Sequence, residues 1–324
     1  MESTLRWAVV GASWIAGDRV IPALRAAEQK ITHLVTSSGG YGADFAAEHG
    51  IPAVAATLED IAAGDIDAVY IGNLNERHRQ AAEAAAARGW HVLLEKPMAT
   101  TVEDARAIVE ACERAGVVLA VNHHLAASGA VQAVRELFEA GAVGLVRAVR
   151  IEHAKLLPDF LRTWRLGASE GAGVVPDLTP HDASVLFALL GAREVLDVKA
   201  LAVRQGEWDG PALDASAAVL RLEGDVLVTL HDGFTTPHAT SGVEVLGSQG
   251  AIRAENLLDP DPIASVQLVT DSGTEEVEWE RRDVYEATVL AFVGAVGGEG
   301  EPFVDGRAAL RAAEVAFAVE AAAR

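Results

Sequence analysis

Glu95-Lys96-Pro97 follows the apolar run His91-Val92-Leu93-Leu94 and precedes a helix-like segment over 101–115. In an open α/β sheet the carboxyl ends of the strands face the ligand crevice, so a lysine at a strand end is placed to pair with charge or to move a proton. Pro97 fixes its own φ and biases Lys96 away from the α region, which keeps the ammonium at the mouth of such a crevice. A solvated strand end has the same sequence, so the rest of the chain must decide. A second set is Asp177 and His181, four residues apart. On a helix that spacing puts both side chains on one face, where the carboxylate can orient or charge-stabilise the imidazole. Pro180 disturbs such a helix unless it lies in the first turn. The same pair also reads as a cap aspartate beside a surface histidine. As metal ligands the two lack a third partner, and no metal is expected.

The elements that would position these groups change character along the chain. Strand-like runs at 6–10, 31–36, 68–71, 91–94 and 117–121 alternate with alanine-rich helical patterns at 15–27, 43–49, 76–88, 102–115 and 130–140. That alternation predicts a doubly wound parallel sheet of the Rossmann type. From 146 the pattern turns β-rich, with runs at 146–153, 195–203, 216–222, 226–232, 242–246, 251–254, 265–269 and 274–279. This half is expected to be an α+β domain with a large, mostly antiparallel open sheet. Helices at 285–296 and 307–323 close it. The boundary falls near Asn122, giving a dinucleotide-binding domain over 1–122 and a substrate-binding and oligomerisation domain over 123–324.

The first strand leads into Gly11-Ala12-Ser13-Trp14-Ile15-Ala16, which keeps one glycine of the dinucleotide fingerprint. Gly11 still supplies the tight turn, Ala16 allows close helix packing, and Ser13 can offer an N–H or a hydroxyl to pyrophosphate. After the second strand, Thr36 and Ser37 would face the adenosine ribose. Neither the carboxylate typical of NAD sites nor the arginine typical of NADP sites is present. At the fourth turn, Asn73 and Asn75 sit with His78 one helical turn further on, and Asn75 reads as a helix cap.

Composition removes several alternatives. The chain has 324 residues, 47 acidic against 26 basic, and a formal charge of -21. That opposes binding to a phosphate backbone, so nucleic acid is not an expected partner. There is no run of eighteen uncharged apolar residues, and no membrane span is expected. Residues 7–17 are apolar but read as a strand entering a glycine turn rather than a leader. Cys112 is the single cysteine, which excludes an intrachain disulfide framework and fits a cytoplasmic protein.

Asn75-Glu76-Arg77-His78, Gly89-Trp90-His91-Val92-Leu93-Leu94-Glu95-Lys96-Pro97, Trp164-Arg165 and Asp177 with His181 resemble the glucose-fructose oxidoreductase and inositol dehydrogenase family (Gfo/Idh/MocA). Gly11 to Ala16, Asn122-His123-His124-Leu125, His181-Asp182-Ala183 and His231-Asp232-Gly233-Phe234-Thr235-Thr236 are most similar to its anhydrofructose reductase group. The resemblance implies hydride transfer between NAD or NADP and a sugar-like substrate, with Lys96 and His181 handling the hydroxyl proton and Asp177 holding His181. It implies a cofactor set of Gly11, Ser13, Trp14, Ile15, Thr36, Ser37, Asn73, Asn75, His78, Glu95, Lys96 and Asn122. Trp164 and Arg165 would approach the nicotinamide, and His124, His153 and His181 the sugar. A homodimer or homotetramer is implied as well. Tyr41 stands where the group tends to carry an arginine, so an NADP preference does not transfer. Two alternatives are an NAD-dependent sugar or cyclitol dehydrogenase and a non-catalytic cofactor-binding sensor or assembly subunit.

Overall fold

In the first sheet apolar side chains are buried without alternation, as a sheet covered on both faces requires. Its strands are β1 (Arg6–Val10), β2 (Lys30–Val35), β3 (Ala53–Ala55), β4 (Ala68–Ile71), β5 (His91–Leu94) and β6 (Leu119–Val121). The order is β3-β2-β1-β4-β5-β6, every pair parallel. Strand order therefore reverses between β1 and β4, the point where open α/β sheets leave a crevice at their carboxyl ends. The computed structural model describes residues 4–169, 171–261 and 263–324. Five of the six strands match expected runs. β3 is the exception: its three residues lie at the sheet edge, only partly buried, and carry no apolar run.

The helices among these strands are α1 (Ile21–Ala26), α2 (Gly39–Glu48), α3 (His78–Ala86) and α4 (Val102–Ala115). α4 is capped at both ends, by the Thr101 side chain accepting from Asp104 N–H and by Gly116 at φ +67°. The helix expected over 15–27 is interrupted. Its start, Ala16–Val20, winds in the wider π register, with Ile21 N–H reaching Ala16 O. Pro22 has no N–H to give Asp18, so the tighter ladder would lose a bond here in any case. α2 starts four residues before the expected 43–49, because Gly39 and Gly40 sit in its first turn, where weak helix formers cost least.

The second sheet alternates buried and exposed positions, the mark of one covered face and one open face. Its strands are β7 (Val146–Ala154), β8 (Val195–Val203), β9 (Ala215–Leu222), β10 (Val226–Gly233), β11 (Gly242–Gly247), β12 (Gly250–Glu255), β13 (Ser265–Thr270) and β14 (Gly273–Glu276). They run in the order β14-β13-β12-β11-β7-β10-β9-β8, antiparallel except for the central β7/β10 pair. Two further helices are α5 (Gly129–Glu139) and α6 (Val174–Leu190). α6 covers the inner face: Val175, Leu178, Val185, Leu186 and Leu189 share one core with Val149, Ile151, Leu220, Val228 and Leu230 of the strands. Pro180 lies inside α6 rather than in its first turn, so Pro176 O loses its backbone donor there.

The chain closes with α7 (Val284–Val296) and α8 (Gly306–Ala322). Two compact units result. One is the chain through His123 with Tyr285–Leu310; the other is His124–Val284 with Arg311–Arg324. Residues 285–310 thus return to the first unit, where Phe292 packs on Trp7 at 5.2 Å between ring centroids and Val121 N–H bonds Val304 O at 3.1 Å. Among the described residues, no helix is long and apolar enough to cross a membrane.

Candidate active site

The glycine turn is the tightest point of the first unit. Gly11 has φ +103°, and a Cβ built there would lie 2.8 Å from Asn73 Cα and N and 2.9 Å from Gly72 O. Backbone bonds hold the turn to its neighbours on both sides, Gly11 N–H to Val35 O at 2.9 Å and Gly72 N–H to Val10 O at 2.9 Å. Only a residue without a side chain lets β1 and β4 end this close. Ser13 accepts from Ala16 N–H at 3.4 Å, so its hydroxyl helps start the π turn while its own hydrogen can still be donated. Trp14 is half exposed and Ile15 partly buried. Thr36 and Ser37 occupy the end of β2, where Thr36 Oγ1 accepts from Ser38 N–H at 3.2 Å. The N-terminus of α2 opens directly after them, and 36–41 carries no carboxylate.

Asn75 does not cap a helix. It begins a short 3₁₀ turn for which Leu74 is the cap, with no side-chain bond at that cap. Its neighbour Asn73 presents a buried Oδ1 with no hydrogen-bond partner. His78 departs further from expectation. It is completely buried, with Nδ1 3.0 Å from Pro97 O and Nε2 3.3 Å from Asn73 O. Burial pulls its pKa down to about 4 against those carbonyls, so the neutral ring makes one firm N–H bond, and the shorter contact to Pro97 suits it. His78 thus ties the turn after β4 to the turn after β5 through the Asn73 and Pro97 carbonyls.

Glu95 and Asn122 form the floor under Lys96. Glu95 Oε1 accepts from Tyr70 OH at 3.0 Å and from Asn122 Nδ2 at 2.5 Å, and Oε2 accepts from Lys96 N–H at 3.2 Å. Burial raises the Glu95 carboxyl, opposed by these donors and by the Lys96 charge. The network fixes the backbone from which Lys96 projects, and Lys96 itself is only partly buried at the carboxyl end of β5. His123 is fully buried, its pKa pushed down to about 3 by desolvation and then by the Lys96 ammonium, so it stays neutral beside that cation.

In the second unit α6 presents Asp177 and His181 on one face, both buried. Arg165 Nε donates to Asp177 Oδ2 at 2.9 Å and its guanidinium lies 4.7 Å from the Trp164 ring centroid. Arg165 is thus the ion-pair partner of Asp177. His181 stands in a group of imidazoles, its ring centroid 5.1 Å from that of His124, edge-on, and 6.3 Å from that of His153. The structure therefore brings His124, His153 and His181 together in the second unit, as it brings Gly11, Ser13, Asn73, Glu95 and Lys96 to the strand ends of the first.

Three residues of this region were given no role from the sequence: Thr179, Asp182 and Asp232. His153 Nδ1 lies 2.6 Å from Asp182 Oδ1, and Thr179 Oγ1 donates to Asp232 Oδ2 at 2.5 Å. A signal was available. Asp232 shares strand parity with the inward Val226, Val228 and Leu230, and His153 with Val149 and Ile151, so both had to be buried polar groups in need of partners.

Comparison with known proteins follows the same division. Residues 5–123 match the family model described as "Oxidoreductase family, NAD-binding Rossmann fold", and 131–253 match the "GFO/IDH/MocA C-terminal domain". The chain is 37% identical to the 1,5-anhydro-D-fructose reductase of Ensifer adhaerens over 93% of its length and 91% of that protein. It is 29% identical to a D-xylose 1-dehydrogenase [NADP(+)] of Haloarcula marismortui, over 94% of this chain and 87% of that one. In fold it is similar to an aldose-aldose oxidoreductase from Caulobacter crescentus, with a TM-score of 0.87, 22% identity and 99% and 98% of the two chains covered.

Proposed function

Because the chain belongs to the Gfo/Idh/MocA oxidoreductase family, we propose that it is a nicotinamide-dependent oxidoreductase acting on a carbonyl or secondary alcohol of a sugar or sugar-like molecule. The observation that carries this reading is a partly buried ammonium, Lys96, at the carboxyl end of β5, in the same row of strand ends as the Gly11 turn. We propose the first unit as the dinucleotide half and the second as the substrate half.

The turn fits a dinucleotide on its own evidence. Gly11 makes the tight turn with no side chain, and Asn73 Oδ1 is a buried acceptor without a hydrogen-bond partner. Gly11, Ser13, Trp14 and Ile15 would hold the pyrophosphate side, Thr36 and Ser37 the ribose, and Asn73 and Lys96 the inner end, with Glu95, Asn122 and His78 holding these in place. When bound, the nicotinamide supplies or takes the hydride. Lys96 and His181 are proposed to stabilise charge on the carbonyl oxygen and to give or take its proton. Asp177, tied to Arg165, supports positive charge on α6. His124 and His153 are proposed to bind the sugar hydroxyls.

Fluorescence titration of the protein with NAD(H) and NADP(H) tests the reading, and failure of both to bind overturns it. With no carboxylate at the β2 end, nothing there repels a 2′-phosphate. Ser37→Asp is therefore expected to weaken NADP binding about 10-fold relative to NAD, or about 1.4 kcal/mol. An unchanged NADP/NAD ratio would show that Ser37 lies away from the ribose.

We also propose that two copies pair through the open face of the second sheet, in a cytoplasmic homodimer or a tetramer built from it. Leu196, Leu201, Val203, Val219 and Leu227 stand exposed on β8, β9 and β10, with Leu201 75% accessible, and a monomer seldom leaves so many apolar side chains on one face. Sedimentation at micromolar concentration is expected to give two or four times 33.9 kDa; the mass of one chain would contradict the pairing.

A further inference from the structure

Beneath the histidine cluster, His153 meets three polar side chains that no cofactor or substrate role accounts for: Thr179, Asp182 and Asp232. Asp182 and Asp232 are fully buried, and His153 and Thr179 nearly so or completely. β7 and β10 run parallel with His153 directly opposite Asp232, and α6 lowers Thr179 and Asp182, one turn apart, onto that pair. Two contacts are settled: His153 Nδ1 to Asp182 Oδ1 and Thr179 Oγ1 to Asp232 Oδ2. The remaining oxygens, Asp182 Oδ2 and Asp232 Oδ1, are buried with no donor. Two ionised carboxylates cannot be left this way, since each acceptor would be unsatisfied and the charges would repel.

We propose that Asp232 and Asp182 share one proton, and that this proton makes the pair a positioning device for His153. The hydrogen sits on Asp232 Oδ1 and is donated to Asp182 Oδ2. Thr179 donates to the other Asp232 oxygen, and Asp182, left ionised, accepts from His153 Nδ1–H. One proton thus satisfies both orphaned atoms at once. It also fixes the tautomer of His153: a neutral ring protonated at Nδ1 carries its lone pair at Nε2, the form able to accept a hydrogen bond from an alcohol. The surrounding charges agree. Burial raises both carboxyls, Asp182 to about 7 and Asp232 well above the usual carboxylate range, Asp232 raised further by Asp182. Of the other groups that face them, Lys155 favours ionisation of Asp182, Glu152 opposes it, and His153 favours ionisation of Asp232.

A ring nitrogen of His153 and one oxygen from each carboxylate lie within 4.8 Å of one another, as metal ligands would. The 2.6 Å separation of His153 Nδ1 and Asp182 Oδ1 argues for the proton. Two ligands of one ion stand about 3.4 Å apart around tetrahedral zinc and about 2.9 Å apart around octahedral magnesium.

The place of His153 beside a sugar rests on the function proposed above; the shared proton does not. Its test needs no turnover, so the two can fail separately. Infrared spectra of the purified protein at pH 8 are expected to show a protonated-carboxyl C=O stretch that shifts in D₂O and disappears in Asp232→Asn. That variant is expected to fold and to melt within a few degrees of wild type, because an amide presents an N–H where the acid presents its O–H and an oxygen to Thr179. Asp182→Asn is expected to melt lower than Asp232→Asn, because one of its two acceptors becomes a donor facing another donor. Absence of the band from wild type, its persistence in Asp232→Asn, failure of Asp232→Asn to fold, or a stoichiometric divalent metal in the purified protein would each overturn the proposal.

Discussion

Lys96→Ala is expected to lower kcat about 10²- to 10⁴-fold on any substrate the wild type turns over, the range for losing a positioned proton donor. Nucleotide binding should persist, because the Gly11 turn and its backbone bonds to Val35 and Gly72 do not involve the lysine side chain. Folding should persist too, since the parts of this region that bear structure are Glu95, Tyr70 and Asn122, joined by buried hydrogen bonds beneath the lysine. Steady-state kinetics beside a nucleotide titration separates these effects. Loss of binding with kcat unchanged would make Lys96 a cofactor contact alone. Equal inertness of wild type and variant across a broad panel of sugars and cyclitols would favour the cofactor-binding sensor.

Gly11→Ala should act at the opposite level, on the architecture. The new methyl would meet Asn73 Cα and N at 2.8 Å, and these are backbone atoms at the end of β4 that cannot swing aside. Backbone strain from a φ of +103° costs about 1–3 kcal/mol and overpacking about 1–3 kcal/mol more. Together they should lower the melting temperature by about 5–15 °C. Because relief requires β1 and β4 to part, NAD(H) and NADP(H) should bind at least about 100-fold more weakly, about 2.7 kcal/mol. A variant with the melting temperature and nucleotide affinity of the wild type would show that the turn relaxes without cost.

These residues also mark what the sequence could and could not convey. Gly11 was legible because a strand, a glycine and a helix pattern in succession leave few geometries for the turn. Lys96 was legible because three consecutive apolar residues, Val92 to Leu94, place the strand end to within one position. The complete burial of His78 was not legible for a physical reason: a polar residue at a strand-end helix looks the same from sequence whether it is open to solvent or packed between two carbonyls. Asn75 failed as a cap because the chain winds a 3₁₀ turn first, and turn type depends on neighbours that propensity does not see. Asp177 and His181 were paired by spacing, but spacing cannot report that Arg165, twelve residues earlier, supplies the carboxylate with a cation. Asp182 and Asp232 are separated by fifty residues in sequence, and only the register of β7 against β10 under α6 joins them. The resemblance to a family carried the cofactor and substrate reading; strand parity could have added the buried acids.

The return of residues 285–310 to the first unit bears on how the protein is made. Phe292, which packs on Trp7, is synthesised 285 positions after it. At translation rates of roughly 5–20 residues per second, that is a wait of roughly 15 to 60 seconds with the indole uncovered. The first unit cannot reach its final packing before residues 285–310 are made, and a gene fragment ending at the 122 boundary would encode an unfinished core. Both units are completed only by the last forty residues, 285–310 for the first and 311–324 for the second, so neither closes its core until the chain is nearly finished.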